Sequence, residues 1–264
     1  MSLAEASETF RGDAPPGMDA EEWQVRLDLA ACYRLVHHHG WTSQVYNHIT
    51  ARVPGSHEAF LINPFGHAYD EITASNLVKI DLEGKVLDGS PYPVNQAGYV
   101  IHSAIHSARP DIECVLHTHS QNAVAVSCLE EGFIPMTQTG FMFFERIATH
   151  EYEGIALDVD ERERLIADLG PEKHTLLLYN HGLITTGPSV ACAFTRLYHF
   201  EDNAAIQLKV MASGGKLKLP SREVMEHTRG QFEGGAAQAG AKERLPEWPA
   251  YLRMLDRLDP SWRT

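Results

Sequence analysis

Two histidines one residue apart, His117 and His119 in "CVLHTHSQNAVAV", are the side chains of this sequence best placed to do chemistry. Side chains on a strand alternate between faces, so the two imidazoles project to one side, roughly 7 Å apart along the chain. That separation lets a nitrogen of each reach one cation. A third histidine, His181, closes the other apolar run, "HTLLLYNHG". Gly182 follows it, a residue type that lets a backbone turn sharply away from a strand end. Both groups therefore fall at carboxyl ends of buried strands, where α/β sheets build their sites. Three neutral imidazoles with an open coordination position describe a catalytic Zn2+ site or a tris-histidine Fe2+ site. The residues alone also allow three separate, hydrogen-bonded core histidines.

The remaining histidines are less directive. His102 and His106 stand four apart on one helical face. With no intervening Glu they make no zincin motif, and they read as helix-surface residues or as support behind the ligands. Consecutive residues on a helix point about 100° apart, so His37, His38 and His39 cannot converge on one ion. They suit a helix end of favourable cationic character. His48 and His150 receive no role.

The elements that must position these groups follow from pattern. Residues 1–18, ending in "APPG", read as a flexible arm. Asp19 and Glu22 form a capping-box variant that opens a helix to about His39, which Gly40 stops. "YNHITARV" and "EAFLINPFG" alternate like strands across a Pro-Gly-Ser turn, and "LVKIDLEGKVL" reads as a hairpin on Glu83-Gly84. "NQAGYVIHSAIHSARPD" is helical in period and must end before Pro110. "IECVLHTH" is a buried strand, followed by a short helix capped by Ser120. An amphipathic helix "DERERLIADLG", the strand "HTLLLYNHG" and a long helix closed by a glycine pair complete residues 19–215 as one domain. Residues 216–264 read as a partly helical tail that docks on the domain or on a neighbouring subunit. Strands in succession, then helix and strand mixed, predict one sheet with helices on its faces.

Bulk properties exclude whole classes. The chain has 264 residues, 44% hydrophobic and 22% charged, enough for a sizeable core. A net charge of −13 argues against nucleic acid or an anionic membrane as partner. No apolar run approaches the roughly 18 residues of a membrane helix. The N-terminus has neither the basic nor the apolar part of a signal peptide, and the four cysteines lack paired spacing. Together these predict a cytoplasmic protein with reduced, buried thiols. No G-x-G-x-x-G follows a strand and no G-x-S-x-G occurs, which removes the dinucleotide and α/β-hydrolase readings.

The segments "YNHITARV", "FLINPFG", "VNQAGYVIHSAIHSARPDIECVLHTHS" and "LLLYNHGLITTG", in order from about Trp23 to Gly215, resemble the class II aldolase/adducin family. The resemblance implies a three-layer α/β/α fold with a central mixed sheet, assembled as a homotetramer with sites at subunit contacts. It assigns His117, His119 and His181 to one divalent metal ion, with zinc first and iron or manganese as alternatives. It places Asn47, Gly66 and Gln96 at a substrate pocket that holds phosphate in the sugar-phosphate aldolases.

The pattern then departs from those aldolases. Their catalytic Glu, in a Ser-Ser-Glu stretch, faces "NQAG" here, with Gln96-Ala97 in place of the serines. Their catalytic Tyr has no counterpart, since the matching stretch offers Gln138, Phe141 and Phe143. Phe65 replaces the hydroxyl residue before Gly66. Fewer hydroxyl donors and an aromatic ring disfavour a dianionic phosphate. Three functions follow as expectations. The first is a metal-dependent lyase on a small non-phosphorylated oxo- or hydroxy-acid, with Phe65, Phe141, Phe143 and Tyr99 suggesting an aromatic one. The second is a non-haem Fe(II) oxygenase on the same three histidines. The third is a non-catalytic assembly module of the adducin kind, although the chain ends at Thr264 without a long basic tail.

Overall fold

The computed structural model describes residues 13–154, 161–238 and 245–264, apart from the side chains of residues 96–97 and 235–238. Most of the expected arm thus lies outside the described residues. Of the rest of it, Ala14 and Met18 pack against the core.

Helix α1, Ala20–His38, opens as its sequence predicts: the Asp19 carboxylate accepts from the N–H groups of Glu21 and Glu22. Glu22 does not complete the box. It turns inward to pair with Arg26 and Lys79, because a carboxylate so near the core needs cations more than the cap needs a second bond. The chain then forms β1 (His48–Arg52), β2 (Phe60–Ile62) and β3 (Val78–Ile80), followed by α2 (Gln96–Ala108) and β4 (Cys114–Thr118). The expected hairpin on Glu83-Gly84 has one full arm, β3, and returns through a single bridge, Ile80 to Val86. Next come α3 (Gln121–Ser127), β5 (Ile147–His150), α4 (Glu161–Leu169), β6 (Thr175–Leu178), β7 (Gly182–Gly187) and α5 (Val190–Ala212). Two further helices, α6 (Arg222–Gln238) and α7 (Glu247–Leu258), lead to a terminal 3-10 turn, Pro260–Arg263.

The seven strands form one mixed sheet in the order β3-β2-β1-β4-β7-β6-β5, antiparallel except for the β5–β6 pair. Its strands β5 and β7 have no counterpart in the sequence reading. "GLITTG" carries glycines at both ends and "IATH" is short, so neither shows a full strand pattern.

Alternation along the strands sorts their residues to two faces. Cys114 and Leu116 of β4, Ile49 and Ala51 of β1, Leu177 and Leu183 join α1, α3, α5 and α7 in one cluster. Val115, Leu176, Leu178 and Ile184 join Ile101 and Ile105 of α2 and Leu165 and Leu169 of α4 in another. The molecule is therefore a three-layer α/β/α sandwich. By the same period of two, His117, His48 and Thr50 share the face covered by α2 and α4.

The tail docks on its own chain. Trp262 is 1% exposed, its carbonyl accepts from Ala74 N–H at 3.0 Å, and Arg34 of α1 reaches Asp259 at 3.0 Å. Trp262→Ala is expected to destabilise by about 3–5 kcal/mol through the cavity it leaves, read as an earlier urea midpoint at unchanged m.

Two smaller expectations are corrected. Ser120 sits at the N-cap of α3, but its hydroxyl donates to Glu201 of α5 at 2.6 Å, and Glu201 accepts from Ala123 N–H at 2.8 Å. The cap comes from a distant carboxylate, which suits a helix N-terminus better than a neutral hydroxyl. Cys32 and Cys114 are buried free thiols, whereas Cys128 is exposed.

Candidate metal centre

Strands β4 and β6 run in the same direction, because each is antiparallel to β7 between them. Their carboxyl ends therefore meet at one end of the sheet, together with the start of β1, where His48 stands opposite His117. Parallel pairing brings the end of β5, His150, to the same place.

At this end the three predicted histidines converge. The imidazole centroids lie 4.7 Å apart for His117–His119, 4.9 Å for His117–His181 and 4.8 Å for His119–His181. One nitrogen from each falls within 4.8 Å of the other two, the only such set of three histidine, cysteine or carboxylate ligands among the described residues. His117 Nε2 and His119 Nε2 are 2.9 Å apart.

His181 does not end a strand, as its sequence suggested, but sits in the β6–β7 hairpin. Asn180 supplies the left-handed residue there, with φ of 56°. Gly182 serves a different need: a Cβ on it would lie 2.5 Å from the Thr118 carbonyl oxygen. It lets β4 and the hairpin approach closely enough for the three rings to meet.

The donor set fits a divalent cation. His117 Nδ1 faces the Leu183 carbonyl at 3.1 Å, and a carbonyl only accepts, so Nδ1 carries the proton and Nε2 presents a lone pair. Burial keeps the imidazoles neutral, holding His117 well below its ordinary pKa and lowering His181 to about 4. Zn–N bonds of about 2.0–2.1 Å in a tetrahedron put ligand nitrogens about 3.3 Å apart, a separation this cluster accommodates.

Behind His117 lies a second histidine group that the sequence reading did not assemble. His106 Nδ1–H donates to the Ile112 carbonyl at 3.3 Å, leaving Nε2 to accept from the Thr50 hydroxyl at 2.9 Å. Having given its only proton, that hydroxyl accepts from His102 Nδ1–H at 2.8 Å. His48 Nδ1–H donates to the Tyr46 carbonyl at 3.3 Å. His102 and His48 are thus left with bare Nε2 atoms, both buried and unpartnered among the described residues. Their rings are 4.4 Å apart, and His48 is 5.2 Å from His117. His102 and His106 are accordingly core residues, each 1% exposed, not helix-surface ones.

Gly98 makes room for this stack, since a Cβ there would lie 2.7 Å from the His48 ring. Gly98→Ala is expected to push His48 against His117 and to weaken metal retention about tenfold, measured by competition with a chelator.

The segments of the other sequence assignments adjoin, since Phe65 N–H donates to the Pro93 carbonyl and Asn95 Nδ2 to the Tyr46 carbonyl. Asn47 is buried beside His48 and its Oδ1 accepts from Ser43 N–H at 2.7 Å, while its Nδ2 has no partner among the described residues. Gly66 is exposed with φ of 95° in the turn after Phe65. Gln96 begins α2, with its side chain outside the described set. Two of the four aromatics expected to line the pocket belong to core clusters. Phe143 packs with Phe133 and Phe200, and Tyr99 joins the separate cluster around Phe60 and Ile62. The His37–His39 run ends α1 as expected, with His39 stacked on Trp41.

Comparison with known proteins agrees with this architecture. The model of the class II aldolase and adducin N-terminal domain matches residues 27–208. A Pseudomonas aeruginosa protein, named provisionally as a class 2 aldolase, is 43% identical over 98% of this chain and 99% of its own. Rat alpha-adducin is 38% identical over 94% of this chain, which covers 35% of that protein. Among solved structures, an aldolase II superfamily protein from Pseudomonas syringae superposes with a TM-score of 0.86 at 44% identity, over 96% of this chain and 100% of its own. An L-fuculose 1-phosphate aldolase from Glaciozyma antarctica does so with a TM-score of 0.80 at 26% identity, over all of both chains.

Proposed function

Because the chain belongs to the class II aldolase and adducin family, we propose that it is a divalent-metal-dependent lyase acting on a small, non-phosphorylated oxo- or hydroxy-acid by aldol-type cleavage or decarboxylation. The observation that carries the proposal is the convergence of His117, His119 and His181 on one point. A divalent ion held there would supply Lewis acidity toward a carbonyl and a neighbouring hydroxyl oxygen.

The chain's own groups prepare the site. The Leu183 carbonyl fixes the tautomer and ring plane of His117. His48, with the Thr50-bonded His102 and His106 behind it, backs His117, while half-buried His119 and His181 leave the opposite side open to substrate. The open side adjoins a pocket whose lining includes His181 and His150, with Glu151, Glu153 and Glu161 around it.

His117→Ala tests the assignment. Metal content of the purified protein should fall from about one ion per chain to below a tenth of that, with the far-ultraviolet circular dichroism retained. Full metal content in the variant would refute the site. A screen of 2-oxo and hydroxy acids on metal-loaded protein, with and without oxygen, tests the reaction. Bound iron with substrate-dependent oxygen uptake would replace the lyase reading with the oxygenase.

A further inference from the structure

His150 is 4% exposed and stands at the carboxyl end of β5, in the wall of the pocket that also contains His181. Its Nδ1 is 2.7 Å from Asp168 Oδ2, a bond between an imidazole N–H and a carboxylate from the last turn of α4. That bond sets the ring plane and the tautomer, so the Nε2 lone pair looks the other way. There it has no hydrogen-bond partner among the described residues, and the nearest charged group is Glu161 Oε1 at 3.6 Å.

This distance is too long for a direct hydrogen bond, so the nitrogen keeps its lone pair beside the carboxyl group. Bare Nε2 atoms also occur at His48 and His102, but those rings pack on each other and His48 on His117, whereas His150 lines the pocket. A buried imidazole nitrogen without a partner, on a ring that lines a cavity and is oriented from behind by a carboxylate, is the arrangement of a general base. Glu161, held protonated more readily by its own burial, is the adjacent group able to take that proton onward.

We propose that His150 is the proton-transfer residue of this pocket, that Asp168 positions it, and that Glu161 exchanges its proton with solvent. The assignment rests on the lyase reading above and deepens it, supplying the acid–base group that "NQAG" lacks. In the step assigned, the α C–H bond of a bound 2-oxo compound breaks and its proton passes to His150 Nε2. The bonding electron pair moves into the new carbon–carbon double bond, and the carbonyl oxygen takes the negative charge. The reverse transfer returns a solvent-derived proton to carbon, and nothing is oxidised or reduced.

Enolisation can be read without the physiological substrate. Metal-loaded protein is incubated in D2O with pyruvate or, as an uncharged probe, dihydroxyacetone, and loss of the α-proton signal is followed by NMR. The wild type should exchange at least one of the two. His150→Gln should slow the exchange rate constant 100-fold or more, with probe affinity, metal content and melting temperature close to wild type. Asp168→Asn should slow it about tenfold, also through the rate constant and not the affinity. Glu161→Gln, which preserves size, should slow exchange and guards against a folding defect specific to position 150.

Exchange in the wild type with rates within about twofold in both His150→Gln and Glu161→Gln would overturn the relay and leave the lyase reading standing. No exchange of either probe by the metal-loaded wild type would overturn both. A metal content that falls together with the rate in His150→Gln would make His150 a structural support of the ligands and refute a proton-transfer role.

Discussion

Replacing Gly182 with alanine is expected to destabilise the protein by about 3 kcal/mol or more and to release the metal. The new Cβ would lie 2.5 Å from the Thr118 carbonyl oxygen and 3.1 Å from His119 Cδ2. Atoms that close must separate, and here the nearer neighbour is backbone. Thr118 belongs to β4, whose register with β7 pairs it with Leu183. A shift at this point therefore moves strand against strand in the centre of the sheet. Overpacking of this kind costs about 1–3 kcal/mol when side chains can yield, and more when the backbone must. For a domain of this size that corresponds to a fall in melting temperature of about 6–12 °C. The same shift parts His119 and His181, so metal content should fall in parallel. Calorimetry and metal analysis on one preparation read both effects. A variant that melts within about 2 °C of wild type and keeps its metal would contradict the close approach of β4 to the β6–β7 hairpin.

The second large effect is acid lability of the metal-free fold. His48 is lowered to about 4 and His106 to about 3 by burial, with the Arg52 charge adding to the effect at His106, and burial holds His102 well below its ordinary value. In the unfolded chain each would titrate near 6.5. Below about pH 6.5 the unfolded state gains protons that the native state cannot accept, so stability falls as the pH drops. The loss accumulates until the native pKa values are reached, near 4 for His48 and 3 for His106. Together these groups are worth on the order of several kcal/mol, a large share of the 5–15 kcal/mol typical of a domain. Urea titrations of chelator-treated protein at about pH 7.5, 6 and 5 should show a falling unfolding free energy, and His106→Asn should flatten the slope. A free energy independent of pH across that range would mean that these histidines are not buried neutral.

The two predictions rest on features of different legibility. That His117 and His119 face one way was already implicit in "HTH", because strand periodicity dictates it without reference to the rest of the chain. Helix α1 and its cap, the stop at Gly40, the end of α2 before Pro110 and the long α5 were equally local, decided by capping groups and by apolar spacing. Gly182 was visible as a glycine, but its reason was not. A turn needs positive φ, which Asn180 supplies, whereas the close approach of Thr118 exists only once β4 pairs with β7.

The same division runs through the histidines. Spacing along one helix showed that His102 and His106 share a face, yet only packing under β1 reveals that both bond Thr50 and are buried. His48 and His150 had no local signal, since each is a single histidine in a short strand. Strand order brings their ends to the cluster of His117, His119 and His181, because β1 pairs with β4 and β5 with β6. Local pattern determined most of the elements and singled out three candidate ligands, since periodicity and capping act over a few residues. Sheet order, the tautomers and the company each histidine keeps were decided by tertiary structure, because they depend on contacts between residues up to about a hundred positions apart, which no short-range rule encodes.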